Sequence, residues 1–222
     1  MGRAKPVGRG APGRVRTPRA EREQQMIEVA SALFAEHGFG GVSMDDIAKA
    51  SGITKPMLYA YFDSKEGLFA ACAQRAGDGL RDELRGVGAR RDLSPDARLW
   101  EGIQRVFKFV EENHDGWLLL YPEGGLASGS IGAGAVAARD AMADLLTELF
   151  TRTAREKGLS EDALAHTDAI ARSFTSATIA AASHWAKYEE EPRDLAALRL
   201  MNLLWMGCGD LLEGKLWLPD AP

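Results

Sequence analysis

From Pro18 almost to the C-terminus, apolar residues recur at spacings of three and four, and no stretch alternates apolar with polar over the length of a strand. A chain patterned this way buries its apolar stripes helix against helix, so the fold class is all-α. Thr17 is placed to cap a first helix with Pro18 at its first position, where no amide hydrogen is missed. Ile27, Ala30, Leu33 and Phe34 fall on one stripe of that helix, and Gly38 ends it. Ser43 opens a second helix with Asp46 three residues on as a capping box; Met44, Ile47 and Ala48 lie inside it, and Ser51-Gly52 stops it. A short third helix runs from about Lys55 to Tyr61, and Asp63 or Ser64 caps a fourth that reaches about Arg85. Five more follow: Pro95 to about Asn113, Trp117–Tyr121, Ala133–Lys157, Glu161–Tyr188 and Pro192–Glu213, which makes about nine in all.

The formal net charge of −5 argues at first against a nucleic-acid partner, but its distribution argues for one. Residues 1–20 carry Arg3, Lys5, Arg9, Arg14, Arg16 and Arg19 and no acid, ahead of an acidic remainder. Such a basic head lets one end approach phosphate while the body stays soluble. Residues 1–17 are rich in Gly, Pro and Arg with almost no large apolar side chain, so they are expected to be disordered in the free protein. Either this arm inserts arginines into the minor groove beside the main site, or it is a solubilising tail. No run approaches the roughly 18 apolar residues of a membrane helix, and the N-terminus lacks a secretory apolar segment, so a cytoplasmic protein with no membrane association is expected. Cys72 and Cys208 are far apart and each sits in an apolar helical pattern; they read as core residues, and neither metal nor cofactor is expected.

An enzyme is not expected. His166 and Asp168 are two apart on a helix and do not face each other, and there is no nucleophile elbow or dinucleotide fingerprint. The Gly- and Ser-rich run Gly124–Gly134 has no strand before it and no phosphate-binding lysine after it, so it reads as a connection, and as a possible pocket entrance, rather than a nucleotide cradle.

The block Ile47–Phe62 has the layout of a helix-turn-helix. Ile47 and Ala48 face inward from the supporting helix, Gly52 permits the tight turn, and Ile53, Leu58 and Phe62 anchor the next helix. That leaves Thr54, Lys55, Pro56, Met57, Tyr59 and Tyr61 at or near an outer face, where the early residues of a recognition helix touch base edges in the major groove. For Tyr61, packing on the fourth helix is an equal reading.

The run from Ile47 to Leu68, including Ile53-Thr54-Lys55-Pro56-Met57-Leu58-Tyr59 and Tyr61-Phe62-Asp63-Ser64-Lys65-Glu66-Gly67-Leu68, resembles the DNA-binding signature of the TetR family of bacterial regulators. Ala30, Leu33-Phe34, Gly38 and Ser43-Met44 are similar to that family's first two helices, so the resemblance covers roughly Ala20–Phe69. Ala60 departs from it, at a position where members often carry His or another larger residue. The resemblance implies base reading by Thr54, Lys55, Pro56 and Met57, with the last two suited to a thymine methyl, and phosphate contacts by Tyr59, Ser43 and Lys65.

The expected organisation is therefore a basic arm at 1–17, a three-helix DNA-binding domain at 18–66, and a larger helical effector-binding and dimerisation domain at 67–222. In the eighth predicted helix Ala177, Ala180, Ala181, Ala182 and Ser183 allow close helix approach. The ninth carries two apolar stripes, Leu198-Met201-Trp205-Cys208-Leu212 and Leu200-Leu204-Gly207-Leu211, more than one core explains. Pairing of these two helices with their copies in a homodimer accounts for both, and suits a palindromic operator. Phe107, Trp117, Phe174 and Trp185, with Thr178 and His184 as polar groups, are the expected lining for a small, largely apolar or aromatic effector that releases a repressor from double-stranded DNA. The competing reading is a DNA-binding regulator without an effector, switched by a protein partner or acting as an activator.

Overall fold

The computed structural model describes residues 18–122, 133–158, 161–188 and 191–212, and among these the regular structure is helical throughout. The helices are α1 (Arg19–Gly41), α2 (Met44–Ala50), α3 (Lys55–Phe62), α4 (Lys65–Gly88), α5 (Pro95–Glu112), α6 (His114–Leu120), α7 (Ala133–Glu156), α8 (Glu161–Ala165), α9 (Thr167–Tyr188) and α10 (Arg193–Leu212). The basic arm and most of the Gly-rich run after Gly124 lie outside the described residues, as do the side chains of Cys208, Leu211 and Leu212.

The capping chemistry sets the boundaries. Ser43 Oγ accepts from the Asp46 amide at 3.2 Å while the Asp46 carboxylate accepts from the Ser43 amide at 3.0 Å, the reciprocal box expected from the sequence. These hydrogen bonds hold the Asp46 carboxyl below the usual range. Ser64, rather than Asp63, caps α4 by accepting from Gly67 N–H at 3.0 Å. Asp63 instead ends α3 in the left-handed region at φ 58°. Two expectations need correcting. Pro18 is the cap residue of α1, extended at ψ 149°, rather than its first helical residue; its carbonyl accepts the first helical bond, from Arg22 N–H at 3.1 Å. The single helix expected over Glu161–Tyr188 is broken at His166, whose carbonyl accepts the first bond of α9, from Ile170 N–H at 3.1 Å. The Thr167 hydroxyl secures the break by donating to the Leu164 carbonyl at 2.8 Å. The predicted eighth and ninth helices thus correspond to α8 with α9, and to α10. The first helix is interrupted where the sequence placed its end: Gly38 takes φ 69°, and the chain resumes one further turn to Gly41.

Two apolar cores are stacked along the molecule. The smaller joins Met26, Ala30 and Phe34 of α1, Ile47 of α2, Leu58 and Phe62 of α3, Leu68, Phe69 and Cys72 of α4, and Leu119 of α6. The larger joins Leu80 and Leu84 of α4 to Ile103, Phe107 and Val110 of α5, Trp117 and Leu120 of α6, and residues of α7, α9 and α10. Both α4 and α6 contribute to both cores, so the core of the N-terminal unit continues past Glu66 into the first turns of α4. Cys72, on α4, is buried in the smaller of these cores, and that burial pushes its thiol up to about 11.

Main chain meets main chain where α4 crosses α7. A Cβ added to Gly134 would stand 2.8 Å from the carbonyl carbon and oxygen of Ala73, and one on Gly77 would stand 2.9 Å from the Gly134 carbonyl oxygen. Absence of a side chain at both positions is what lets the two helices touch main chain to main chain. Gly134→Ala is expected to lower unfolding free energy in urea by about 1–3 kcal/mol through overpacking. Gly102→Ala, whose added carbon would meet only the Val87 Cγ1 at 3.8 Å, is expected to be neutral or slightly stabilising. Equal effects of the two would contradict the crossing as the constraint.

Candidate nucleic-acid interface and ligand cleft

At the end of the molecule formed by α1–α3, the turn between α2 and α3 is closed by Ile53 N–H donating to the Ala48 carbonyl at 3.0 Å, with Gly52 at φ 66°. Thr54 then caps α3, its hydroxyl accepting from Met57 N–H at 3.4 Å. Leu58 is fully buried and Phe62 nearly so, which fixes the rotation of α3 about its axis. Thr54, Lys55, Pro56 and Tyr59 are turned to solvent and Met57 is half-buried at the edge of that face. A helix anchored by one buried edge and presenting its first two turns outward is the form that enters a major groove.

The other expected contact residues divide. Ser43 is exposed at the start of α2, but its hydroxyl is occupied by the capping box. Lys65 is half-buried, its ammonium 4.4 Å from the centroid of Phe39, which packs in turn against Phe34 and Phe69. Tyr61 is half-buried against the N-terminal core with Arg19 of α1 stacked at 4.9 Å over its ring. Lys55 is not a free cation: its Nζ lies 2.7 Å from the Asp45 carboxylate on α2, and that pairing raises its pKa. The sequence reading missed this link between supporting and recognition helices. Both side chains are largely exposed, so the pair is weak and open to exchange for a phosphate or a base.

In the larger core the six expected pocket residues do not converge. Thr178 lines a mostly apolar cleft of about 60 Å³ between α4, α5, α7 and α9, together with Leu84, Leu99, Ile103, Met142 and Leu149. Phe107, His184 and Trp185 instead border a separate, open groove of about 620 Å³ along α9 and α10. Trp117 is wholly buried with its indole N–H on Ser183 Oγ at 3.1 Å, and Phe174 packs edge-on against Phe150 at 5.1 Å. Trp185 Nε1 donates to the Glu191 carbonyl at 2.9 Å, and His184 is exposed beside Tyr188 at 4.7 Å. Placing aromatics together on the basis of composition overlooked that each has a structural partner of its own.

The residue the sequence reading missed in this region is Arg98. It is 5% exposed, lines the cleft, and donates from Nη2 to the Leu93 carbonyl at 2.8 Å; its Nε and Nη1 have no partner among the described residues. A signal was present, since Arg98 precedes Gly102 and Val106 by four and eight and so falls on the buried stripe of α5. His166 and Asp168 form no catalytic pair: Asp168 holds Arg172 at 3.0 Å. Among the described residues no group of His, Cys, Asp and Glu is arranged to hold a metal, and no helix is long and apolar enough to cross a membrane.

One face of the C-terminal helices is uncovered. On α10 Leu200 and Leu204 are buried, whereas Leu195 and Leu198 are exposed and Leu203 and Met206 are 71% and 76% exposed; Met201 and Trp205 are half-buried. Of the two stripes read from the sequence, Leu200 and Leu204 of one turn into the core; of the other, Leu198 is exposed while Met201 and Trp205 are half-buried against the core, and the most exposed residues, Leu203 and Met206, belong to neither.

Comparison with known proteins agrees with these features. Residues 26–72 match the model for bacterial regulatory proteins of the tetR family, and residues 95–207 match the tetracyclin repressor-like C-terminal domain. The chain is 31% identical over 151 residues, covering 68% of each protein, to the HTH-type transcriptional activator FasR of Mycolicibacterium smegmatis. It is 29% identical over 99 residues to the Staphylococcus aureus negative transcriptional regulator of the biofilm operon icaADBC, IcaR, a match spanning 45% of this chain and 51% of that one. The crystal structure of a TetR-like transcriptional regulator from Rhodococcus sp. RHA1 superimposes with a TM-score of 0.72 at 32% identity, covering 87% of this chain and 99% of that one. The helix-turn-helix end, the helical body and these matches along both agree: the chain belongs to the TetR family of DNA-binding transcriptional regulators.

Proposed function

We propose that this chain acts in the cytoplasm as a homodimer that reads a palindromic operator and whose hold on DNA is set by a small, largely apolar ligand in the cleft. The observation that carries the reading is the continuity of α4, which lines the cleft with Leu84 and Val87 and anchors α1–α3 with Leu68 and Phe69. A ligand that favours one setting of α4 shifts the population toward one spacing of the two recognition helices, and DNA that fits another spacing is released. This makes the protein a repressor relieved by its ligand. The likeness to the activator FasR favours a second reading, in which DNA-bound protein promotes transcription. A reporter under the chain's own operator separates them: deletion of the regulator raises output in the first case and lowers it in the second.

In this reading Thr54, Lys55, Pro56 and Met57 face bases, while Ser43, Tyr59 and Lys65 meet phosphates, assisted by the helix N-termini at Ser43 and Ser64. Tyr59→Phe is expected to weaken binding by about 1 kcal/mol per half-site on all sequences alike, measured by fluorescence anisotropy on operator and random duplexes. Pro56→Ala is expected to weaken operator binding more than random-DNA binding. Loss of operator preference from Tyr59→Phe, with Pro56→Ala silent, would reverse the assigned roles.

The uncovered stripe of α10 is the proposed dimer face, joined by the small residues of α9. Leu203→Glu together with Met206→Glu is expected to give a monomer in analytical ultracentrifugation, with helical circular dichroism unchanged and operator affinity lost. These side chains have little intramolecular burial to lose, so unfolding instead of dissociation would contradict an intersubunit role.

A further inference from the structure

The cleft between α4, α5, α7 and α9 is mostly apolar; Glu148, Arg152 and Thr178 also line it, Arg152 within 3.9 Å of Glu156, and the buried charge in its wall is Arg98. Arg98 is 5% exposed and its guanidinium remains charged at any pH at which the protein folds. One of its three nitrogens is satisfied, by the Leu93 carbonyl at 2.8 Å; Nε and Nη1 are buried without a partner among the described residues. No carboxylate of the described residues lies within ion-pair distance of it. Its neighbours Arg90 and Arg105, by contrast, are each engaged with acids, Arg90 with Asp92 at 3.0 Å and Arg105 with Glu101 at 2.6 Å. The acid that lines the same cleft, Glu148, is exposed to solvent.

A buried cation with open donors is unstable unless an anion completes it. Around it, Leu84, Val87, Leu99, Ile103, Met142 and Leu149 offer only hydrocarbon. The cleft is about 60 Å³, enough for a few methylene groups. We infer that this site binds a small amphiphilic monocarboxylic acid, its carboxylate accepting from one of the two open donors of Arg98, Nε or Nη1, and its aliphatic tail among the α4, α5 and α7 side chains. The inference rests on the regulatory reading of the same cleft and adds to it the charge and class of the effector. It also adds to what the sequence suggested, a largely apolar or aromatic effector met by Thr178 and His184 as polar groups: the polar end is ionic and meets Arg98.

The test is calorimetric titration of the full-length protein, without DNA, using hexanoate, hexanol and hexyl phosphate, which share a tail and differ in headgroup. Hexanoate is expected to bind saturably at one site per chain, with hexanol weaker by roughly 10–100-fold, the difference a charge-assisted hydrogen bond makes. Arg98→Gln is expected to abolish that preference. Gly102→Leu, whose side chain would enter from α5 where an added Cβ meets only Val87, is expected to abolish binding of both. If Arg98→Gln does not fold by circular dichroism, the wild-type headgroup comparison and Gly102→Leu decide the matter. Equal binding of hexanoate and hexanol, no binding of hexanoate, or binding that survives Gly102→Leu would overturn the inference. Preference for hexyl phosphate would replace the carboxylate with a phosphate. Repeating the titrations with operator present separates the two levels. Hexanoate bound at Arg98 with DNA affinity unchanged would sink the regulatory reading and leave the site, whereas release by hexanol as effective as by hexanoate would do the reverse.

Discussion

The main-chain contact between α4 and α7 at Gly77 and Gly134 is the constraint from which the rest of the arrangement follows. Two helices in backbone contact cannot slide or separate without losing packing along their whole length. With α7 fixed against it, α4 is held as a single rod whose first turns lie in the N-terminal core and whose last turns line the cleft. α6 makes the second tie, placing Leu119 in one core and Trp117 and Leu120 in the other. A change in the cleft therefore has a rigid path to the recognition helix, through elements that pack in both cores.

The recognition end is built to keep its shape before DNA arrives. Capping at Ser43, Thr54 and Ser64 satisfies the first amides of three successive helices, and Leu58 and Phe62 lock the rotation of the middle one. The Lys55–Asp45 pair spans the turn and holds the lysine in place at little energetic cost. Because both ends of that pair are largely in water, giving up the aspartate for the base contact proposed for Lys55 is nearly balanced. The acidic body of the protein opposes indiscriminate binding, so affinity is concentrated at one end.

Local chemistry was the part of this structure legible in the sequence. The box Ser43–Asp46, the turn at Gly52 and the anchors Ile47, Leu58 and Phe62 each follow from short-range rules, and each sits where those rules put it. The break at His166 was not legible, because it is made by the Thr167 hydroxyl and its contact with Thr151 at 2.9 Å rather than by glycine or proline. The lining of the cleft was obscured for a different reason. Aromatic side chains are visible in any sequence, but which of them are consumed by packing depends on long-range partners such as Ser183 for Trp117 and Phe150 for Phe174. Arg98, a charge on the buried stripe of α5, was the informative residue.

The most direct test of the central claim, that the exposed face of α3 reads DNA from a paired molecule, is selection of binding sites by the purified protein from random duplexes, at two salt concentrations. The expected result is enrichment of one palindrome with half-sites about a helical turn or more apart, bound by an even number of chains, with affinity falling steeply as salt rises. Recovery of no motif, or of a single asymmetric site bound by one chain with shallow salt dependence, would contradict it.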